Sequence, residues 1–255
     1  MRPRDTPCRG WTLAHILNTH HHQDHVGGNR VLKQRFQCSV VGPRADEARI
    51  PLIDTPLGDG DTFALGATEL KVFDTPGHTR GHIAFWAPAA AALFPGDTLF
   101  AMGCGRLFEG TPQQMWASLS KLKMLPKETL VFCAHEYTLA NAKCAPHADD
   151  ASSSCAGPAC PCAVHHVTQL TKVAASCRWA LAVDPDNKEL QSRVDEVRQL
   201  RAAGTPTIPT TLGLEAATNP FLQPDSAGIR STLSVPAGAS NDEAFAEIRR
   251  HKDTF

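Results

Sequence analysis

Short apolar runs separated by turn residues dominate the first 135 positions of the chain. Residues 59–77 (DGDTFALGATELKVFDTPG) predict a hairpin, because Gly66 separates two apolar runs and the pair Pro76 and Gly77 ends the second. Further buried strands are predicted within residues 11–18, 38–42, 82–88, 91–100 and 128–134. The pattern therefore indicates a strand-rich first half.

Helical patterns lie between and after these strands. Residues 29–36 follow two glycines, and Thr111 followed by Pro112 is a typical helix start. In the second half, residues 187–204 contain good helix formers and end in glycine, and residues 241–255 form a helix with acids first and bases last. Residues 205–215 (TPTIPTTLGLE) are expected to be a connector broken by proline.

The stretch from residue 144 to residue 177 has a different character. It is small, polar and rich in cysteine, and it shows little periodicity, so we expect a loop or a disordered insert. Its Cys160, Cys162, His165 and His166 match no familiar zinc spacing. This gives three expected segments: a domain over 1–143, the insert 144–177 and a helical C-terminal domain over 178–255.

Composition narrows the function classes. With 255 residues, 42% hydrophobic content and a net charge of −1, the chain can bury a core, and we expect no general nucleic-acid binding. No apolar run reaches the ~18 residues of a membrane span, so we expect no membrane partner. Nine cysteines without a secretory signal favour a reducing, intracellular setting, with the cytoplasm expected and an organelle as the alternative.

Four potential metal ligands lie close together in residues 19–28 (THHHQDHVGG). His20, His22 and Asp24 would share one side of an extended backbone, and a turn would bring His25 to the same point. Imidazole and carboxylate suit zinc, iron or manganese. Adjacent residues Asp24 and His25 cannot easily complete one ion's sphere alongside the other two, so two ions are the simpler geometry.

Two ions require further ligands from other segments. His78, Asp97 and His135 each follow a predicted strand, and glycines beside His78 and Asp97 would allow a close approach of the backbone. We expect His82 to support the site or to pack near it rather than to bind metal. We expect His21 to point away and His15 to be a core residue.

Several motifs, in this order, resemble the metallo-β-lactamase superfamily and, more narrowly, the glyoxalase II (hydroxyacylglutathione hydrolase) family. They are THHHQDH, TPGHT-x-GH, GDTLF, GCG-x-x-x-EG and HEYT, followed by the late motifs GTPTIPTTL, NPFL and IRRHKD. The resemblance covers residues 11–143 and 178–255. It implies an α/β fold, an αββα sandwich lacking its first strands, with a helical C-terminal domain over the active site.

The resemblance also implies a centre of two divalent metal ions, with zinc expected and iron or manganese as alternatives. One ion would be held by His20, His22 and His78, the other by Asp24, His25 and His135, and Asp97 would bridge them. The implied reaction is the hydrolysis of S-D-lactoylglutathione by a hydroxide that bridges the ions. Asp24 would be catalytic by orienting this hydroxide, and no cysteine or serine nucleophile is required.

The resemblance implies that a monomer binds a glutathione thioester through six side chains: Arg106, Phe108, His135, Tyr137, Arg249 and Lys252. Arg106 stands where the family usually has lysine, and Phe108 where it usually has tyrosine, so we expect weakened binding. Composition alone would explain Arg249 and Lys252 as bases at the end of a solvated helix.

Two alternatives remain open from the sequence. Another enzyme of the superfamily, such as a persulfide dioxygenase with a single iron, would not need Asp24, His25 and His135 as ligands. A non-catalytic relic would retain the ligands by descent. The apparent loss of the first strands supports this second alternative, since it would expose a sheet edge and a core face.

Overall fold

The computed structural model describes residues 12–138 and 177–255. Of the predicted insert, only Cys177 belongs to this part of the chain, and the remainder lies outside the described residues. Within these ranges, no helix is long and apolar enough to cross a membrane.

A parallel sheet of three strands begins the described chain. Its strands are β1 (His15–Leu17), β2 (Ser39–Pro43) and β3 (Thr55–Leu57), in the order β1-β2-β3. Two helices, α1 (Gln23–Val26) and α2 (Asn29–Phe36), connect β1 to β2. The predicted helix over 29–36 is confirmed.

A second sheet has six strands in the order β11-β10-β7-β6-β5-β4. The strands are β4 (Thr62–Leu65), β5 (Thr68–Asp74), β6 (Ile83–Ala87), β7 (Ala92–Phe94), β10 (Leu130–Val131) and β11 (Thr210–Thr211). β4 and β5 form the predicted hairpin, and Gly66 adopts a φ of +62° at its turn. A separate small hairpin pairs β8 (Leu99–Phe100) with β9 (Gly103–Cys104).

Helices dominate the described chain after β9, and they include those predicted to start at Pro112 and to lie within 187–204 and 241–255. They are α3 (Pro112–Lys123), α4 (Cys177–Val183), α5 (Lys188–Ala202), α6 (Leu212–Thr218), α7 (Ala227–Thr232) and α8 (Asn241–Thr254). Thr111 caps α3 as predicted and forms a capping box with Gln114. The prediction of an irregular connector over 205–215 is wrong, because this segment adds β11 to the second sheet and begins α6.

The two sheets pack face to face with helices outside them. Val41 of the first sheet and Phe85 of the second belong to one buried cluster between the sheets. Ala84, the neighbour of Phe85, faces the other way into a cluster shared with α3 and α8. On the outer side of the first sheet, α2 contacts β2. The layers therefore form the predicted αββα sandwich.

The C-terminal helices share the core of the second sheet. Trp179, Phe221 and Phe245 are at most 1% exposed and belong to the same buried cluster as Leu93 of β7 and Leu119 of α3. Because this burial is continuous, the C-terminal helices are fixed relative to the sheet and to the loops that follow its strands.

Candidate metal centre

Seven predicted ligands converge from four segments of the chain. His20, His22, Asp24 and His25 follow β1 and enter α1, and the other three, His78, Asp97 and His135, follow β5, β7 and β10. The loops that follow these strands, from both sheets of the sandwich, meet at one edge. Within each of three groups of these side chains, the ligand atoms lie within 4.8 Å of one another. Two of the groups share no residue, and the third, which consists of His20, His25 and Asp97, overlaps with both.

The first group consists of His20, His22 and His78. His22 Nδ1 lies 3.1 Å from His20 Nε2 and 3.0 Å from His78 Nε2. His78 Nδ1 lies 2.8 Å from the carbonyl oxygen of Arg106, which can only accept, so Nδ1 carries the proton and neutral His78 has a bare Nε2. Thr19 Oγ1 orients His20 from behind, at 3.1 Å from its Nδ1.

The second group consists of Asp24, His25 and His135. His135 Nε2 lies 3.3 Å from His25 Nε2 and 3.3 Å from Asp24 Oδ2. The side chain of Asp24 is 61% exposed, so this group opens to solvent. The opening gives an incoming substrate access to the second group.

Asp97 lies between the two groups. Its Oδ2 is 3.4 Å from His78 Nε2 and 3.6 Å from His135 Nε2, and its Oδ1 is 3.3 Å from His25 Nε2. Asp97 is only 7% exposed. A carboxylate that contacts both groups can contribute to two adjacent cation sites.

The charge states of these side chains suit a cation. Burial lowers the pKa of His20, His22 and His78, so all three imidazoles are neutral near pH 7. Burial would also lower the pKa of His25, but the adjacent carboxylate of Asp97, with the charge of Asp24, raises it. Burial would raise the pKa of Asp97, but the nearby His25, His135 and His78 lower it overall.

The donor set fits divalent metal ions. Donors held about 2.0–2.1 Å from a tetrahedral zinc ion lie roughly 3.3 Å apart, which matches the separations between these ring nitrogens. In addition, Asp97 Oδ1 is buried and has no partner with hydrogen-bond geometry. Several imidazole lone pairs and a buried carboxylate oxygen that face one another are stabilised by a cation at their centre.

His82, His21 and His15 are bonded to other groups, and His15 is half-buried rather than in the core as predicted. His82 is 1% exposed, its Nε2 accepts from the backbone N–H of Asp97 at 3.1 Å, and its Nδ1 contacts Thr75 Oγ1 at 2.8 Å. The nitrogen that could bind a metal is therefore already used. His21 Nδ1 contacts Asp46, and His15 Nδ1 contacts Ser39.

Glycine at position 96 allows the loop before Asp97 to approach the centre closely. Gly96 has a φ of +52°, and a Cβ there would lie 2.5 Å from Thr19 Oγ1 and 2.7 Å from His82 Nε2. Both distances are shorter than real Cβ contacts. The absence of a side chain at Gly96 therefore allows Thr19 and His82 to pack closely against the loop that carries Asp97.

An ionic network behind the metal-binding loop was not predicted from the sequence. Asp46 is fully buried and contacts His21 Nδ1 and the guanidinium of Arg49, which in turn pairs with Glu109. Arg49 holds the pKa of Glu109 down to about 2. The sequence gives no local pattern that predicts this network, because Arg49 and Glu109 come together only through the fold.

Two aromatic side chains predicted to contact substrate lie at the mouth of the centre. Phe108 is 64% exposed, with its ring centroid 5.5 Å from that of His22 and 5.2 Å from that of His78. The ring of Tyr137 stacks on His135 at 5.0 Å and also contacts Phe100. Both rings therefore border the open side of the cluster of predicted ligands.

Two basic residues of α8 that were predicted to bind substrate, Arg249 and Lys252, are held against aromatic rings. Arg249 lies 4.8 Å from the ring centroid of Phe221 and donates to Asp253 Oδ1 at 2.7 Å. Nη1 of Arg249 lies 3.7 Å from Sγ of Cys104, which is two residues before Arg106. Lys252 Nζ lies 5.0 Å from a ring of Trp179.

Cys104 and Cys133 lack the low thiol pKa of a nucleophilic cysteine. Burial raises the pKa of the Cys104 thiol to about 11 and that of Cys133 to about 12. Both thiols are therefore protonated at neutral pH and react slowly.

Comparison with known families decides the identity of this arrangement. The family described as metallo-beta-lactamase superfamily matches residues 4–135, and the one described as hydroxyacylglutathione hydrolase C-terminus matches residues 173–255. A hydroxyacylglutathione hydrolase of Methylococcus capsulatus is 49% identical over 97% of this chain and 83% of its own length. The chain belongs to the hydroxyacylglutathione hydrolase family. The resemblance inferred from the motifs is thereby confirmed.

Other relatives agree with membership of the hydroxyacylglutathione hydrolase family. A hydroxyacylglutathione hydrolase of Brucella anthropi is 46% identical over 97% of this chain and 81% of its own length. A solved metallo-beta-lactamase from Staphylococcus aureus superposes with a TM-score of 0.52 at 20% identity, covering 94% of this chain and 57% of that one. This second similarity shows the fold alone. The persulfide dioxygenase and the non-catalytic relic are not favoured.

Proposed function

We propose that the chain hydrolyses S-2-hydroxyacylglutathione thioesters, with S-D-lactoylglutathione as the expected substrate. Water adds to the thioester carbonyl, the carbon–sulfur bond breaks, and glutathione and the hydroxy acid, here D-lactate, are released. The observation that carries the proposal is the convergence of seven ligating side chains on one point in a chain of this family.

We infer two metal ions with the division that the resemblance implied, and the grouping of the ligand atoms supports this. His20, His22 and His78 would hold one ion, Asp24, His25 and His135 the other, and Asp97 would contact both. Zinc is the expected metal, with iron or manganese as alternatives. When bound, two such ions lower the pKa of a water molecule towards 7 and polarise a carbonyl.

The side chains around the ions would orient the reactants. Asp24 keeps an exposed carboxylate at the open side of the centre, where it can accept a hydrogen bond from the attacking water and fix its direction. The leaving thiolate has a pKa near 8.5 in free form, so the reaction does not depend on a strong general acid. Tyr137 and Phe108 would enclose the acyl group.

Arg249 and Lys252 would bind the carboxylates of glutathione, together with Arg106. Arg249 already pairs with Asp253, so a carboxylate of the substrate would share its guanidinium rather than meet a free cation. We propose that residues 1–143 supply the metal ligands and Arg106, that residues 178–255 supply Arg249 and Lys252, and that the protein acts as a monomer.

A single experiment tests the proposed function. The purified chain is loaded with zinc, its metals are counted, and hydrolysis of S-D-lactoylglutathione is followed before and after a chelator. We expect two ions per chain and hydrolysis that the chelator abolishes. The Asp97→Asn variant should lose activity, whereas His15→Gln, outside the metal centre, should keep it. Folded, metal-loaded protein without thioester hydrolysis would refute the proposal.

A further inference from the structure

The β8–β9 hairpin connects several parts of the metal centre. Asp97 precedes β8 by two residues, and Arg106, whose carbonyl accepts from His78 Nδ1, follows β9 by two. Between them, the ring centroid of Phe100 lies 6.0 Å from that of His135. The position of this hairpin therefore affects three of the proposed ligands.

The turn of this hairpin has an unfavourable backbone conformation. Met102 is fully buried and has a φ of +56°, in the left-handed region that favours glycine. A residue other than glycine remains there only when its surroundings determine the conformation. The hairpin therefore needs partners that hold the turn.

Those partners come from the C-terminal helices. Glu215 of α6 is fully buried, and its Oε2 accepts from the backbone N–H of Met102 at 2.9 Å and from Asn219 Nδ2 at 3.1 Å. Asn219 Nδ2 also lies 3.2 Å from the carbonyl oxygen of Phe100 and 3.1 Å from that of Gly103. Both sides of the turn are thus held by two side chains more than a hundred positions away.

The negative charge of Glu215 is compensated within the same helices. Arg193 of α5 pairs with Oε1, and Thr210 Oγ1 donates to the same oxygen at 2.8 Å. Arg193 and Thr210 are 4% and 5% exposed. Buried ion pairs contribute little net stability, because desolvation offsets their attraction. Their presence here is better explained by a need to place the Glu215 carboxylate.

We propose that Glu215 is a positioning residue for the metal centre. It anchors the turn at Met102, and this sets Asp97 at one end of the hairpin and the Arg106 carbonyl that orients His78 at the other. The inference deepens the proposed function and rests on it in one respect, the assignment of Asp97 and His78 as ligands. The C-terminal helices then determine metal affinity, in addition to any contact with substrate.

Metal affinity, measured without substrate, tests the proposal. Zinc binding to the whole chain is followed by competition with a chromophoric chelator for the parent protein, Glu215→Gln and the control Asp184→Asn. Asp184 is also a buried carboxylate of the C-terminal helices, but it bonds Asn187 rather than the hairpin. We expect Glu215→Gln to weaken zinc binding about ten-fold or more, the usual effect of losing a residue that supports a ligand. Asp184→Asn should stay within about two-fold of the parent.

A general loss of stability would produce a different pattern. If both variants lower the unfolding midpoint of the metal-free protein but only Glu215→Gln weakens zinc binding, the positioning role is supported. Unchanged zinc affinity in folded Glu215→Gln overturns it. Should Glu215→Gln fail to fold, Glu215→Asp takes its place, because the shorter side chain keeps the charge beside Arg193 but cannot span to both Arg193 and the Met102 N–H. Glu215→Asp with the parent's zinc affinity would then overturn the proposal.

The outcome also separates this inference from the proposed function. A parent protein that binds zinc but does not hydrolyse the thioester refutes the function, while the affinities of the variants still decide the role of Glu215. A parent protein that binds no zinc refutes the ligand assignment and with it this inference.

Discussion

The guanidinium of Arg49 donates to both carboxylate oxygens of Glu109, at 2.5 and 3.2 Å, across sixty positions of sequence. Glu109 also accepts from the backbone N–H of Arg80 at 2.8 Å, and Arg49 contacts Asp46, the partner of His21. The ion pair thus links the loop that carries His20 and His22 to the loop that carries His78.

Breaking this ion pair should destabilise both loops. Glu109→Gln removes the carboxylate charge and one of the two oxygens that accept from Arg49, and we expect the free energy of unfolding to fall by about 1–3 kcal/mol. Arg80→Met is the matched control, because its side chain is 75% exposed and lies 3.9 Å from Glu109; it should change stability by less than about 1 kcal/mol. Urea unfolding measures both. Equal effects in the two variants would contradict the linking role of Arg49 and Glu109.

Enlarging the glycine before Asp97 should disturb the metal centre. In Gly96→Ala the new Cβ would meet Thr19 and His82 at 2.5–2.7 Å, and the residue would keep a positive φ. Gly60→Ala is the control, since Gly60 has a φ of +82° but no atom within 4 Å of its Cβ position. The control should cost about 1–2 kcal/mol for the backbone alone. Gly96→Ala should cost clearly more and weaken zinc binding, as measured by unfolding and chelator competition.

The metal-free protein should lose stability as the pH falls from 6.5 to 5. Burial lowers the pKa of His82 to about 3 and also lowers that of His20, His22 and His78, so the unfolded chain takes up protons that the folded chain does not. The pKa of His25 is raised, so its contribution is already complete below 6.5 and does not vary in this window. Each histidine with a lowered pKa adds a slope of up to about 1.4 kcal/mol per pH unit.

Urea unfolding in the presence of a chelator, at several values between pH 6.5 and 5, measures this slope. His82→Gln removes one titrating group and should flatten it. Stability that is constant or rises towards pH 5 would show that the buried imidazoles are not neutral in the folded state.

Restoring a hydroxyl at the mouth of the centre should strengthen substrate binding. Phe108 is exposed beside His22 and His78, and tyrosine is usual at this position in the family that the motifs indicated. In Phe108→Tyr one neutral hydrogen bond, worth about 1 kcal/mol, should lower KM about five-fold. Steady-state hydrolysis of S-D-lactoylglutathione measures it. An unchanged or higher KM would contradict the assignment of Phe108 as a substrate contact.

Local sequence patterns predicted most of the helices and strands, and they also predicted the seven side chains that cluster at the metal centre. The turn at Gly66 and the cap at Thr111 depend on neighbouring residues, so they are visible in sequence. β11 was missed because Thr210 and Thr211 gain their partners from β10, which lies some eighty residues earlier. A strand of two residues has no periodicity of its own, and its existence depends on a distant partner.

The supporting contacts could not be predicted for a related reason. Arg49 with Glu109 and Glu215 with Met102 join positions that are 60 and 113 residues apart. Arginine and glutamate are common on surfaces, so their burial and pairing become apparent only once the sheet order is known. Metal ligands, in contrast, form a rare local cluster around His20.

Tyr137, stacked on the imidazole of His135, is the single tyrosine in the chain. Fluorotyrosine incorporation would therefore give one fluorine resonance, located beside the proposed second ion. Its chemical shift would report occupancy and ligand arrival with no competing signal to assign. Because the chain has a single tyrosine, this label would report on the metal centre without any other substitution.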